Sequence, residues 1–299
     1  MENAATPKDA YYQFSGRFGP VGLVIMLGFS LVGSLLLGAV YGVLVFLNPI
    51  GYLDIIGAVG VGWCVATVVR WGVVIGKVRN TKLHYVAGVL AGCTVLWVAW
   101  VSWLYIYSAQ FDTGALLVLN PAELWDYIVY IGQNGAWGFP GITQTISGAP
   151  MFVIWGLEAV LVIGSTFVMT CIKVEATTFC ERCGHWVNDK ITLPKLAPLK
   201  DKQAHKRFKT GDISDILALR FAAPGGSHTQ IELKGCPTCD EIRVADVVVK
   251  DIISDGKSKD RKKMVFLAMG ICLSPEDYQT LLEFEGVPET PEPNAGELL

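Results

Sequence analysis

Four stretches of this chain are longer and more uniformly apolar than the core elements of a water-soluble domain. They run roughly Val21–Leu47, Leu53–Ile75, Tyr85–Tyr107 and Met151–Lys173. Each holds about 20 or more mostly apolar residues, and a helix rising ~1.5 Å per residue crosses ~30 Å of hydrocarbon in that length. We read all four as transmembrane helices. The first is not read as a secretory signal: its apolar run far exceeds the roughly 7–15 residues of a signal core, and no A-x-A site follows.

The rest of the chain has a different composition. Lys173 apart, the first 175 residues hold six Lys or Arg, whereas residues 176–299 hold seventeen. A membrane half followed by a water-facing half is expected. The net charge of −3 says little about partners.

Basic residues also set the orientation. Lys8 and Arg17 precede the first span, and Lys77, Arg79 and Lys82 lie between the second and third. The NPIGYLD link and the stretch 108–150 have none. By the positive-inside rule both termini face the cytoplasm and 108–150 faces outward, in a plasma (inner) membrane. Trp100, Trp103 and Tyr107 share one helical face near the outer end of span three, where an interfacial aromatic belt is expected.

Within the outer loop, VLNPAELWDYIVYIGQNG (118–135) predicts a short helix lying on the bundle as a cap. Asn120 suits the cap, Pro121 the first helical position, and Glu123 completes a capping-box pattern. Gly132 or Gly135 ends it, and Leu124, Ile128 and Ile131 fall on one face.

Two charges lie inside the spans. Arg70 is placed to reach anionic lipid headgroups. Glu158 is an intramembrane carboxylate, costly enough to raise a functional question such as ion coordination or proton uptake. The bland reading is a packing residue met by the outer helix or by polar residues 133–145. The two differ in depth by roughly 15 Å, which disfavours a salt bridge between them. Gly38-x-x-x-Gly42, Gly57, Gly60, Gly62 and Gly72-x-x-x-Gly76 mark close helix contacts, within one chain or in a homo-oligomer.

Eight cysteines are present. Cys64, Cys93 and Cys171 fall in spans and Cys272 in a predicted strand, where a lone cysteine acts as a small apolar residue. The other four form FCERCGHW and GCPTCDE: Cys180, Cys183, Cys236 and Cys239, two C-x-x-C knuckles 52 residues apart. On the cytoplasmic side thiols stay reduced, which disfavours disulfides. The quinone-linked thiol oxidases with four spans carry their reactive pairs outside, where this chain has no cysteine. Two matched knuckles are best explained by tetrahedral Zn2+. Four thiolates fill its coordination sphere, so the zinc is structural, with His185 a reserve ligand.

Around the second knuckle, IELKGC, IRVADVVVKDII and MVFLAMGICL predict three strands, with Asp255-Gly256 in a turn. Ser274 caps a short helix with Pro275 at its first position. LKDKQAHKRFK (199–209) predicts a basic helical stretch, and Asp212 or Ser214 caps another through ILALRF. The Pro-rich, acidic end is expected to be disordered. The fold class is therefore a membrane all-α domain of four transmembrane helices followed by a small α+β cytoplasmic zinc-ribbon-like domain. The expected boundaries are a cytoplasmic N-terminal segment at 1–20, membrane domain 21–175 with outer loop 108–150, zinc-ribbon-like domain 176–282 and acidic tail 283–299.

CERCGHW, GDISDILAL and GCPTCDE behind four spans resemble uncharacterised bacterial multi-pass membrane proteins with a cytoplasmic zinc-ribbon tail. The resemblance implies Cys180, Cys183, Cys236 and Cys239 as ligands and no activity.

No phosphate-binding loop, nucleophile elbow, HExxH or pair of span histidines is present, so an enzyme is not expected. The leading expectation is a non-enzymatic membrane protein whose zinc-stabilised domain binds a cytoplasmic protein partner or assembles a homo-oligomer. An ion channel or small-solute transporter using Glu158 is the alternative. Membrane-tethered nucleic-acid binding through Lys200, Lys202, Lys206, Arg207 and Lys209, or the 257–263 loop, comes third. Attraction of those cations to the lipid bilayer explains them equally well.

Overall fold

The computed structural model describes residues 11–48, 51–111, 114–135, 146–175, 177–187, 189–199, 207, 212–222, 226–239, 241–253 and 261–284. The chain divides into two compact units, Phe14–Glu175 and a second made of Met1–Gln13 with Ala176–Leu299.

The first unit contains α1 (Pro20–Leu47), α2 (Gly51–Gly76), α3 (Thr81–Ser108), α4 (Pro121–Asn134) and α5 (Ala149–Glu175). All but α4 are long and apolar enough to cross a membrane. Pro20 opens α1, where its missing N–H costs nothing. Asn80 opens α3, its side chain accepting the Leu83 N–H at 3.2 Å.

Helix α1 packs on α2 and α3, and α5 packs on the same two, so α1 and α5 occupy opposite corners of a four-helix ring. Glycines make these contacts possible. A Cβ on Gly22 would stand 2.0 Å from the Gly76 carbonyl oxygen, and one on Gly42 would stand 2.4 Å from that of Ala99. One on Gly62 would stand 2.0 Å from the Ser165 hydroxyl. Small residues of this kind let apolar helices approach closely, the contact by which helices associate in lipid. Gly38, Gly72 and Gly76 likewise meet neighbours in the same chain, whereas Gly60 meets nothing within 4 Å.

Helix α4 forms as its sequence predicts. Asn120 caps it by accepting the Ala122 N–H at 3.0 Å, and Gly135 ends it at φ 80°. The cap is one-sided, because no hydrogen bond returns from Glu123 to the Asn120 N–H. Leu124, Ile128 and Ile131 are buried against Val101, Leu104, Met151 and Trp155. The aromatic residues expected to form an interfacial belt also pack within the unit. Trp103 is buried and stacks on Tyr107, and Trp100 meets Trp103 and Trp155 edge-on. The cap needs an apolar floor, and these rings supply it.

In the second unit, β1 (Thr178–Cys180) and β2 (His185–Val187) form a hairpin. β3 (Lys190–Thr192), β4 (His228–Gly235), β5 (Arg243–Ile253) and β6 (Arg261–Cys272) form an antiparallel sheet in that order. Strand alternation puts Ile231, Leu233, Ala245 and Val247 on one face, where Leu196, Ile216 and Leu281 complete the core. Ile216 belongs to α6 (Ser214–Leu217) and Leu281 to α7 (Pro275–Leu282). Helix α7 starts as expected, with the Ser274 hydroxyl accepting the Asp277 N–H at 3.0 Å. Helix α6 is shorter than ILALRF suggests, because Phe221 leaves it to bridge Leu196.

The pairing of β5 with β6 slips on both sides of Val247. Beside the slip, the Asp246 carboxylate accepts the Gly270 N–H at 2.7 Å and pairs with Lys234 at 2.6 Å. Gly270 sits at φ 71°, a conformation side chains disfavour. Tyr11 bridges Ile271 and the Tyr12 N–H donates to the Gly270 carbonyl at 2.7 Å, so these N-terminal residues extend the sheet edge. The Asp255-Gly256 turn, Lys200, Lys202, Lys206, Lys209, the 257–260 part of the basic loop and residues 285–299 of the acidic tail lie outside the described residues.

Two outcomes follow from this packing. Gly76→Ala forces backbone apart and should cost about 1–3 kcal/mol, while Gly28→Ala, with nothing within 4 Å, should be neutral. Thermal denaturation in detergent separates them. Lys234→Met leaves the Asp246 carboxylate buried without its cation and should cost about 3 kcal/mol by denaturant titration.

Candidate metal centre

The first knuckle is a turn between β1 and β2. The Gly184 N–H donates to the Cys180 carbonyl at 2.9 Å, and Gly184 adopts φ 67°. The hairpin is fastened from behind. Phe179 is fully buried with its ring edge-on to Trp186, and its N–H and C=O both bond the Tyr12 hydroxyl, at 2.9 and 3.2 Å. The second knuckle leaves β4, with the Cys236 N–H donating to the Ile242 carbonyl at 3.1 Å.

These two turns bring Cys180, Cys183, Cys236 and Cys239 together, with all four sulfurs within 4.8 Å of one another. Cys180 and Cys239 approach to 3.5 Å, far beyond a disulfide bond, and all four thiols are free. A tetrahedral Zn2+ with ~2.3 Å bonds spaces its sulfurs by about 3.8 Å. The donor set and its spacing therefore fit a metal ion. Cys180 and Cys236 are buried, and Cys183 and Cys239 border an open cleft with Arg182, Thr238 and Glu241.

The thiols differ electrostatically. Burial pushes Cys180 up, and hydrogen bonding with Cys239 pushes Cys183 up to about 12. Burial also works against ionising Cys236, but the Thr238 and Cys239 backbone N–H groups outweigh it and bring that thiol down to about 6. The His185 Nε2 lies 3.6 Å from the Cys236 sulfur, outside the group of four. It is a neighbour of one sulfur, fitted to orient it.

No protein family, curated protein or solved structure matches this chain. Its reading therefore rests on its own residues.

The other sequence candidates scatter. Glu158 lies on α5, and its carboxylate accepts the Tyr41 hydroxyl at 2.8 Å from α1, across the diagonal of the ring. Neither the outer helix nor residues 133–135 supply this bond, and residues 136–145 lie outside the described residues. Tyr41 is 3% exposed and its ring lies against Gly57. Nearby, Asn48 at the end of α1 donates to Asp54 in the first turn of α2, at 2.7 Å. An acid there suits the positive end of the helix dipole. Arg70 is further from Glu158 than the sequence suggests. Gly62 meets Ser165, so Glu158 lies seven residues from that contact toward the helix starts and Arg70 eight toward the helix ends, about 22 Å of helix rise apart. Arg207 is held by Asp215 in a two-pronged ion pair at 2.6 Å.

Sequence reasoning missed Tyr41, Asn48 and Asp54, whose side chains look ordinary in the sequence. Tyr12 was equally unremarked.

The thiol energetics give a pH dependence. Cys180 and Cys183 are raised and hold their protons at neutral pH, so a metal must displace both. Cys236, at about 6, is largely ionised by then. Displacing these two protons makes apparent affinity rise at least about a hundredfold per pH unit between pH 7 and 8, as competitive zinc titration would measure.

Proposed function

We propose that this chain is a non-enzymatic, multi-pass protein of the plasma (inner) membrane with both termini in the cytoplasm, presenting a zinc-stabilised domain that assembles the protein into a homo-oligomer or binds a cytoplasmic protein. The observation that carries this reading is the convergence of four cysteines from two distant knuckles in a compact unit separate from the four apolar helices. A ring of four sulfurs leaves a zinc ion no open position for water or substrate, which suits a structural ion. The domain it holds is small, and a metal that binds only the folded form adds its binding free energy to folding.

The transport alternative rests on Glu158. Its bond to Tyr41 supplies the polar partner that a structural role requires, which supports the anchor reading over a conduction path. Nucleic-acid binding draws less support once Arg207 is committed to Asp215.

Zinc analysis and particle mass test the proposal together. The purified full chain should carry about one zinc, and a chelator strong enough to remove it should both melt the C-terminal unit and lower the particle mass in detergent or release the bound partner. Full metal loss with an unchanged assembly would overturn the assembly role. Less than half a zinc per chain would overturn the metal.

A further inference from the structure

Helices α2 and α5 run parallel, with Gly62 of one against Ser165 of the other. That register puts Arg70 level with Lys173, near the ends of both helices that lead away from the outer loop. The two side chains are fixed by each other's surroundings. The Arg70 Nε donates to the Lys173 carbonyl at 3.3 Å. The Lys173 Nζ donates to the Trp63 carbonyl at 3.2 Å and to the Thr67 hydroxyl, and it lies 3.9 Å from the centre of the Trp63 ring.

Every one of these partners is electrically neutral. Among the described residues neither Arg70 nor Lys173 forms an ion pair, although the two cations are neighbours. Among the described residues the guanidinium bonds through its Nε alone, which leaves both of its NH2 groups for another acceptor. Their neighbours in the sequence, Trp71 and Ile172, are apolar and more than half exposed. Two uncompensated cations beside an apolar surface are costly in a membrane. An amphiphile with an anionic head removes that cost on both counts.

We propose that Arg70 and Lys173 form a binding site for the phosphodiester head of an anionic phospholipid, with its acyl chains lying along the exposed apolar side chains of α2 and α5. A planar guanidinium matches two phosphate oxygens, and the ammonium adds a second charge held in place over an indole. Basic pockets between helices near a membrane face bind lipid heads in this manner. This inference rests on the reading of the four helices as membrane-spanning.

The test uses the full chain in nanodiscs and in detergent with added lipid. Wild type should retain phosphatidylglycerol over phosphatidylcholine by roughly thirtyfold, read by native mass spectrometry and by the shift in melting temperature. The R70Q/K173Q double variant should lose the preference, R70K/K173R should keep most of it, and K77Q/K82Q should leave it intact. Soluble glycerol phosphate should not displace the lipid. A preference that survives in R70Q/K173Q, that disappears in K77Q/K82Q, or that yields to glycerol phosphate overturns the site. Carbonate extraction of wild-type membranes keeps the two readings apart: release of the chain would sink the membrane reading itself, whereas retention with no lipid preference would sink only the site.

Discussion

Backbone touching backbone is the contact on which the helical unit depends. At Gly22, Gly76, Gly42 and Gly62 there is no room for a single methyl group. Side chains that fill space in a soluble core would hold these helices apart. Once the axes are this close, residues far apart in the sequence come level. Gly57 lets the Tyr41 ring lie flat enough to reach Glu158 across the ring. Gly62 sets the register that places Arg70 beside Lys173. The polar chemistry of the bundle is thus a consequence of where glycine is.

The second unit works by a different rule. Its helices are short and its sheet has four strands, a small core for independent stability. The two knuckles sit at opposite ends of a long sequence separation, so a metal shared between them closes a large loop. Tyr12 adds a fastening of its own, joining the sheet edge at Gly270 to the first knuckle at Phe179. A segment that reads as a lead-in to the first helix is therefore part of the architecture around the cysteines.

What could be read from the sequence follows from what is local. The four long helices, the α4 cap with Asn120 and Gly135, the strands flanking Cys236 and the Ser274 cap all depend on residues a few positions apart, and they formed where expected. The pairing of the two C-x-x-C knuckles was legible because their spacing is so specific to metal binding. What escaped was set by register. Nothing near Tyr41 in the chain reveals that it meets Glu158, and α6 is cut short because Phe221 is drawn to Leu196 from another segment. The tryptophans of α3 are amphipathic in either setting, and only the arrival of α4 made them a floor for the cap.

Charge inside the helical unit sorts by the same logic. Glu158 faces a neighbouring helix and is bonded there by a hydroxyl, so its polar demand is met within the chain. Arg70 and Lys173 are bonded as well, but only to carbonyls, a hydroxyl and an indole face, none of which carries a negative charge. Hydrogen bonding and charge neutralisation are separate requirements in a medium of low dielectric. The first is satisfied at both places. Among the described residues the second is left open at both, because a hydroxyl neutralises no charge. The Glu158 carboxylate is turned to a neighbouring helix, whereas the Arg70 guanidinium keeps its NH2 groups without an acceptor among the described residues. That difference is the ground for proposing a lipid site at Arg70 and Lys173 rather than at Glu158.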